Sequence, residues 1–288
     1  MTGNLLSRVF RVVLRLVNGI SPVLATKILH YKVTGKHLDL DNPVDFNSKL
    51  QWLKLFDKNE FVKMCADKYQ MYKYVESKNA SGILNNLVAV YDKPEEIDWD
   101  NLPEKVAIKC THGCGYNIVT KKSSLLHKEK VIKKLSEWLK EDFGLVNLEY
   151  QYSKIKPRII IEEYIENKKG ELPIDYKIYC FDGVAKLVLV CSERDTDLRL
   201  DFFDLNWNRL NIGHPKNESK EEPIPPACFN EMIQYAELLS KDFKFVRIDF
   251  YDNDGKPILG EFTFTPAANM ATYYNEFGLR KLGGYIKI

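Results

Sequence analysis

Two alternating runs near the C-terminus, Phe245-Val-Arg-Ile-Asp-Phe-Tyr251 and Ile258-Leu-Gly-Glu-Phe-Thr-Phe-Thr265, constrain this chain more than any other stretch. The connector between them, Asp252-Asn-Asp-Gly-Lys-Pro257, has the composition of a hairpin turn. Successive side chains of a strand point to opposite faces, so Arg247 and Asp249 share one face and Glu261 and Thr263 share one face of the next strand. Antiparallel pairing then gathers two carboxylates, a hydroxyl and a guanidinium over an apolar layer of Val246, Ile248, Phe250, Phe262 and Phe264. Hard oxygen donors of this kind suit Mg²⁺ held between protein and nucleotide phosphates. The pair therefore predicts a metal–nucleotide site.

The rest of the chain bounds that reading. Its 288 residues allow one large domain or two lobes, and 45% hydrophobic with 28% charged residues describes a globular protein. A net charge of +2, with the basic excess confined to one segment, argues against a nucleic-acid binder. The 16 Tyr and 15 Phe fit a β-rich core. Six cysteines (Cys65, Cys110, Cys114, Cys180, Cys191, Cys228) form no C-x-x-C pair and no zinc spacing, which predicts buried, reduced thiols and a cytoplasmic location. No Ser-His-Asp or Cys-His arrangement is evident.

The N-terminus is the one strongly biased segment. Residues 1–38 carry six Lys/Arg and no acidic residue. Arg8, Arg11 and Arg15 fall on one face of an apolar helix that Asn18-Gly-Ile-Ser-Pro22 should stop. The apolar run is too short to span a bilayer, so residues 1–20 predict either a helix resting on an anionic membrane surface, on the inner leaflet, or one docked on the protein's own core.

Downstream, helices are expected over Asp45–Phe61 and Ala66–Lys78, the second beginning at Asp67, a good N-cap. Strands are expected at Leu87–Tyr91, Val106–Cys110, Asn117–Thr120, Arg158–Tyr164, Asp175–Phe181 and Lys186–Cys191, and helices at Leu125–Phe143 and Pro226–Ser240. Between Cys191 and Pro226 the composition reads as loop. Adjacent strands joined by turns, with few helices, predict an α+β fold of mostly antiparallel sheets. The expected divisions are a basic helical segment (1–60), a first lobe (61–165) and a second lobe carrying the metal site (166–288).

Several segments carry possible chemistry. Lys109 ends an apolar strand before His112, Gly113 and Gly115, a turn whose backbone amides can approach phosphate, although Gly-Lys-Ser/Thr is absent. Glu162 and Glu163 end a buried-type strand where free backbone groups can meet an adenine edge. Asp175 and Lys177 share a face from which they can reach ribose hydroxyls and phosphate. Each of these alone is as readily a turn, a solvated strand end or surface alternation.

Their order carries more than any one of them. With Asn42-Pro43, Phe46-Asn47-Ser-Lys49-Leu-Gln-Trp52, Ala66-Asp67-Lys68-Tyr69, Lys109-Cys-Thr-His112-Gly113, Pro157-Arg158-Ile-Ile-Ile-Glu162-Glu163-Tyr164, Asp175-Tyr-Lys177, Phe181-Asp-Gly183, Val246-Arg247-Ile-Asp249 and Gly260-Glu261-Phe-Thr263-Phe-Thr265-Pro266, the chain resembles the TupA-like ATP-grasp family of bacterial surface-polysaccharide gene clusters. The resemblance spans about residues 40–284. It implies an ATP-grasp fold, two lobes clasping ATP and Mg²⁺. It further implies that Lys68 and Lys109 contact phosphates under the loop of His112, Gly113 and Gly115, and that Glu162, Glu163, Tyr164 and Ile165 form the adenine hinge. Asp175 corresponds to the ribose carboxylate, Lys177 faces phosphate, Asp249, Glu261 and Thr263 are the metal ligands, and Arg247 with Lys109 is catalytic.

Three positions depart from ATP-grasp patterns. Thr263 stands where many such enzymes have Asn, Tyr72 where the family tends to Arg, and Ala267-Ala-Asn-Met270 where a glycine is usual, which makes Asn269 a candidate for substrate or metal contact. The implied activity is an ATP-dependent carboxylate–amine ligase acting through an acyl phosphate, with a glycan or sugar-acid substrate and an amine or amino-acid co-substrate. The alternatives are a glycosyltransferase or kinase using Asp195-Thr-Asp197 or Asp252-Asn-Asp254, and a non-catalytic scaffold.

Overall fold

The computed structural model describes residues 2–121, 128–165, 173–194 and 197–288, with side chains from Val9 onward. Asp195 and the expected helix start at Leu125 lie outside these residues. So does the side chain of Arg8.

The chain opens with α1 (Thr2–Ile20) and α2 (Pro22–Thr34), divided at Ser21 as the turn residues predict. Ser21 accepts the Leu24 amide at 3.2 Å, and Gly35 closes α2 in the left-handed region. The expected helix over Asp45–Phe61 is two helices, α3 (Phe46–Phe56) and α4 (Glu60–Ala66). The break occurs because Asn59 turns its side-chain oxygen onto the Phe61 amide and starts a new helix. Regular α5 (Gln70–Ser77) begins three residues after Asp67, yet Asp67 does accept the Tyr69 and Gln70 amides at 2.9 and 3.3 Å.

Four strands form the first sheet: β1 (Leu87–Tyr91), β2 (Lys105–Cys110), β3 (Asn117–Lys121) and, after α6 (Lys128–Leu139), β4 (Ile159–Glu163). Their order is β1-β4-β2-β3, and every pairing is antiparallel. Val106, Ile108, Ile159 and Ile161 are fully buried in a core shared with Leu135 of α6, which leaves Ala107, Lys109, Ile160 and Glu162 on the opposite face.

The second sheet contains β5 (Asp175–Phe181), β6 (Val184–Ser192), β7 (Arg199–Phe203), β8 (Phe245–Asn253) and β9 (Lys256–Thr263), ordered β7-β6-β5-β8-β9 and antiparallel throughout. The β8–β9 connection is the two-residue turn Asp254-Gly255, both at positive φ, as a hairpin following the strand twist requires. Asp252 accepts the Gly255 amide at 2.7 Å, which makes it a turn residue and not half of an Asp-x-Asp metal pair.

Strand β7 corrects the loop expected after Cys191. Its alternation is broken by Asp201, a fully buried carboxylate held by Arg209 at 2.5 Å, so it does not read as a strand. One face of this sheet packs on α7 (Phe229–Ser240) through Ile178, Val246, Ile248, Met232 and Ala236. The other face is covered only at one end, where Tyr179, Phe181 and Phe245 meet Phe46 and Leu50 of α3 and Leu282 of α8 (Glu276–Gly284). Beyond that cover the face continues into half-buried Lys177 and Glu261 with buried Asp249 between them.

Candidate active site

Pair register on this face places the charged side chains in rows. Lys177 pairs with Asp249 and Asp249 with Glu261 across β5, β8 and β9, and Tyr179, Arg247 and Thr263 form the next row. The register between β8 and β9 shifts between Asp249 and Phe250, which leaves Gly260 as the bulged residue. A side chain there would come within 3.2 Å of the Asp249 carbonyl, so glycine suits the position.

Within these rows charge is closely paired. Arg247 donates twice to Asp249, Nε to Oδ1 and Nη2 to Oδ2, both at 2.7 Å. Lys177 donates to Asp249 at 2.6 Å and to Asp175 at 2.5 Å. Burial would raise the Asp249 carboxyl, but Arg247 and Lys177 outweigh it and hold the group below its ordinary range. Asp175 shifts the other way: burial and the nearby Asp249 charge push it up against the pull of Lys177. Among the described residues its Oδ1 has no hydrogen-bond partner. Arg247 also donates to Thr263 at 3.0 Å, and Thr263 donates to Glu261 at 3.2 Å.

Facing this sheet, Lys109 pairs with Glu162 at 2.5 Å, and the Tyr72 hydroxyl donates to the same carboxylate at 3.0 Å. Glu162 is thus the buried counter-charge of Lys109, whereas its neighbour Glu163 is exposed beside Asn86. The hinge expected of both residues is therefore divided. Tyr72, at the place of an expected arginine, helps hold the ion pair.

A cavity of about 120 Å³ sits here, with Ala107, Val119 and Ile165 as its apolar wall and Lys109, Glu163 and Tyr164 along its edge. Arg194 and Tyr251 line it too. Sequence reasoning missed both, because Arg194 follows β6 in an unpatterned turn and the Tyr251 ring alternates like any strand residue. The Arg194 guanidinium lies 5.7 Å from the Tyr251 ring centroid and 3.9 Å from Asp175.

The glycine turn after β2 is assembled differently from expectation. Lys68 donates to the Gly113 carbonyl. A Cβ at Gly113 would meet the Phe143 ring at 2.7 Å, so this glycine serves close packing; Gly115, at φ +74°, is the one whose backbone demands glycine. His112 is buried, bonded through Nε2 to the Trp138 carbonyl at 2.9 Å, and burial lowers its pKa. It lines neither cavity of this cleft. The six cysteines are free thiols, five of them buried, with Cys114 exposed at the turn.

At the other end of the charged rows lies a cavity of about 470 Å³, lined by Arg247, Glu261 and Thr263, by Glu149, and by Ala267 and Met270. Here Asn269 departs from its expected role: it is fully buried and donates to the Leu50 carbonyl at 3.0 Å. Gln51 donates to the Ala268 and Asn269 carbonyls, each at 3.2 Å, and Asn47 to the Ala271 carbonyl at 3.0 Å. The Asn-x-x-x-Gln face of α3 is therefore a clamp on the cavity floor.

Ala267, Ala268 and Asn269 all adopt positive φ, at 49°, 53° and 59°. L-residues there cost roughly 1–2 kcal/mol each, which explains why glycine is the usual occupant. Ala267 is exposed and free of packing demands. Replacing Ala267 by Gly is expected to raise unfolding free energy by about 1 kcal/mol, read from denaturant titration. No gain would mean that the turn is not strained.

Among the described residues no group of three or more His, Cys, Asp or Glu could hold a metal. The donors at hand are Asp249 and Glu261, cross-strand neighbours, with the Thr263 hydroxyl. Such a set fits a hard cation that draws its remaining oxygens from phosphates and water.

No curated protein matches the chain. Among solved structures, a D-alanine–D-alanine ligase from Bacillus anthracis complexed with ATP is 15% identical, with a TM-score of 0.47 over 77% of this chain and 61% of its own. An L-amino acid ligase from Bacillus licheniformis is 14% identical, TM-score 0.47, over 88% and 57%. The ATP-grasp ligase PsnB, complexed with minimal precursor, Mg and ADP, is 10% identical, TM-score 0.42, over 76% and 57%. The chain thus spans about three-fifths of the length of these enzymes. The model of the TupA-like ATP-grasp family matches residues 48–287, five-sixths of the sequence, and the chain belongs to that family.

Proposed function

We propose that this protein is an ATP-dependent carboxylate–amine ligase acting through an acyl phosphate. The observation that carries the reading is the row Lys177–Asp249–Glu261 with Arg247: Arg247 and Glu261 line the cavity that Glu149 also lines, and Tyr251 of the same strand as Asp249 lines the cavity at Lys109. Adenine would lie against Ala107, Val119 and Ile165, and a ribose hydroxyl would satisfy Asp175 Oδ1, a buried acceptor that meets no donor among the described residues. Lys109 and Lys68 would turn to the phosphates, exchanging Glu162 and the Gly113 carbonyl for the nucleotide. Asp249, Glu261 and Thr263 would hold Mg²⁺, which would supply positive charge to offset the negative charge developing on the phosphates.

In the first half-reaction the substrate carboxylate would attack the γ-phosphate, ADP would leave with the bridging oxygen and its electron pair, and Arg247, already oriented by Asp249, would stabilise the new acyl phosphate. In the second, an amine displaces phosphate. Such chemistry asks the protein to place charges and exclude water, and requires no covalent nucleophile. For substrate class we propose a uronic acid of a surface polysaccharide or its precursor, joined to an amine or amino acid. The test is ADP release with Mg-ATP across uronic acids paired with amino acids, with product masses. An amide product is expected; a phosphorylated or glycosylated product, or no nucleotide turnover, would refute the ligase.

A membrane surface is the partner that the N-terminal helices favour. No helix of the described residues is long and apolar enough to cross a bilayer. Phe10, Leu14 and Val17 dock α1 onto Ala25, Leu29, Leu148 and Met270, as the core-packing expectation has it. Its opposite side nevertheless exposes Val12, Val13, Leu16 and Ile20, and α2 adds Leu24 and Ile28, with Arg11 and Arg15 alongside. Leu16→Glu is expected to reduce co-flotation with anionic vesicles by about tenfold and leave turnover of a soluble substrate unchanged. Equal flotation of both forms would count against a lipid partner.

A further inference from the structure

We propose that Glu149 receives the amine co-substrate: its carboxylate binds the incoming ammonium and takes its first proton. The inference rests on the ligase reading and assigns a residue that no motif marks. Glu149 stands in an irregular stretch after α6, 6% exposed, on the wall of the 470 Å³ cavity that Arg247 and Glu261 also line. Thr265 donates to it at 2.6 Å and receives Gln151 Nε2 at 2.6 Å, so the carboxylate is held by neutral groups and aimed by a relay. Across the cavity Arg247 is committed to Asp249. The wall at Glu149 therefore offers acceptors and negative charge, which select a cation rather than a second carboxylate.

The alternative is a structural ion pair with Lys54. Lys54, however, lines a different cavity of about 220 Å³, with Thr265 shared between the two. Burial lowers Lys54 to about 7, against the pull of Glu149, the direction that weakens it as a counter-charge. Burial likewise pushes Glu149 up, the direction that lets a carboxylate accept a proton from an ammonium.

The step balances as follows. The amine arrives as R–NH₃⁺ and gives one proton to Glu149. The freed nitrogen pair forms the C–N bond at the acyl carbon, the C–O bond to phosphate breaks with its electrons on phosphate, and the second nitrogen proton leaves with that phosphate.

Glu149→Gln keeps an acceptor for Thr265 and removes the charge. The experiment uses the full chain, Mg-ATP, the uronic acid giving most ADP with wild type, and two nucleophiles: its amino-acid partner, protonated at neutral pH, and hydroxylamine, which is neutral there. The variant is expected to keep hydroxamate formation within about threefold while its amino-acid KM rises at least tenfold and amide kcat falls about 10²-fold. Hydroxamate and amide falling together, with an unchanged melting profile, would place Glu149 in acyl-phosphate formation and overturn the proposal. So would both remaining at wild-type rate. If wild type forms neither product with any uronic acid, the ligase reading itself fails, and this inference with it.

Discussion

Asp249→Asn is expected to lower ATP-dependent turnover by about 10³-fold and unfolding free energy by about 3 kcal/mol. Both effects come from one carboxylate. Asp249 is 1% exposed and takes two bonds from Arg247 and one from Lys177, so its charge is what allows two cations to be buried at the centre of the sheet. Asparagine keeps the shape, but one of its two polar atoms becomes a donor facing donors. Turnover is to be measured well below the variant's melting temperature, so that the loss of chemistry is separated from the loss of fold. A variant that unfolds earlier yet turns over normally when folded would leave Asp249 as a structural ion-pair residue only.

Lys109→Met should raise the KM for ATP by about 10- to 100-fold, the range for losing a charged hydrogen bond to phosphate. It also strands Glu162, 3% exposed, with the Tyr72 hydroxyl as its remaining side-chain partner among the described residues, and stability should fall. Adding Glu162→Gln removes the stranded charge. The double variant should recover much of the lost stability and none of the ATP affinity, a separation that a double-mutant cycle reads directly. Recovery of ATP affinity in the double variant would mean that Lys109 acts on Glu162 alone and not on nucleotide.

How far the sequence reaches can be judged element by element. The β8–β9 hairpin, its turn and the shared face of Arg247 and Asp249 follow from period-two alternation and from Asp254-Gly255, both local signals. The strand at Ile159–Glu163 and the helix at Phe229–Ser240 were legible for the same reason. Strand β7 was not, because Asp201 faces inward and its partner Arg209 lies past the next turn. Helix α2 lacked a clear stripe, being packed by α1 on one side and exposed on another. Among site residues, Asn269 looked available because its role as a clamp depends on Leu50, 219 residues earlier.

Residue order alone settled which side chains share a strand face, where the chain reverses, and, through the sequence of its motifs, which family the chain belongs to. These depend on interactions a few residues apart. Only the folded chain decided which charges neutralise which. Lys109 meets Glu162 across 53 residues, and Lys177 meets Asp249 across 72. Such pairings follow from sheet order and register, in which β5 lies between β6 and β8 and β4 lies between β1 and β2. Local patterns leave sheet order open. Burial pushes the Asp175 and Glu149 carboxyls up, whereas Arg247 and Lys177 hold Asp249 down against its own burial, because the cost of a charge depends on what surrounds it in space.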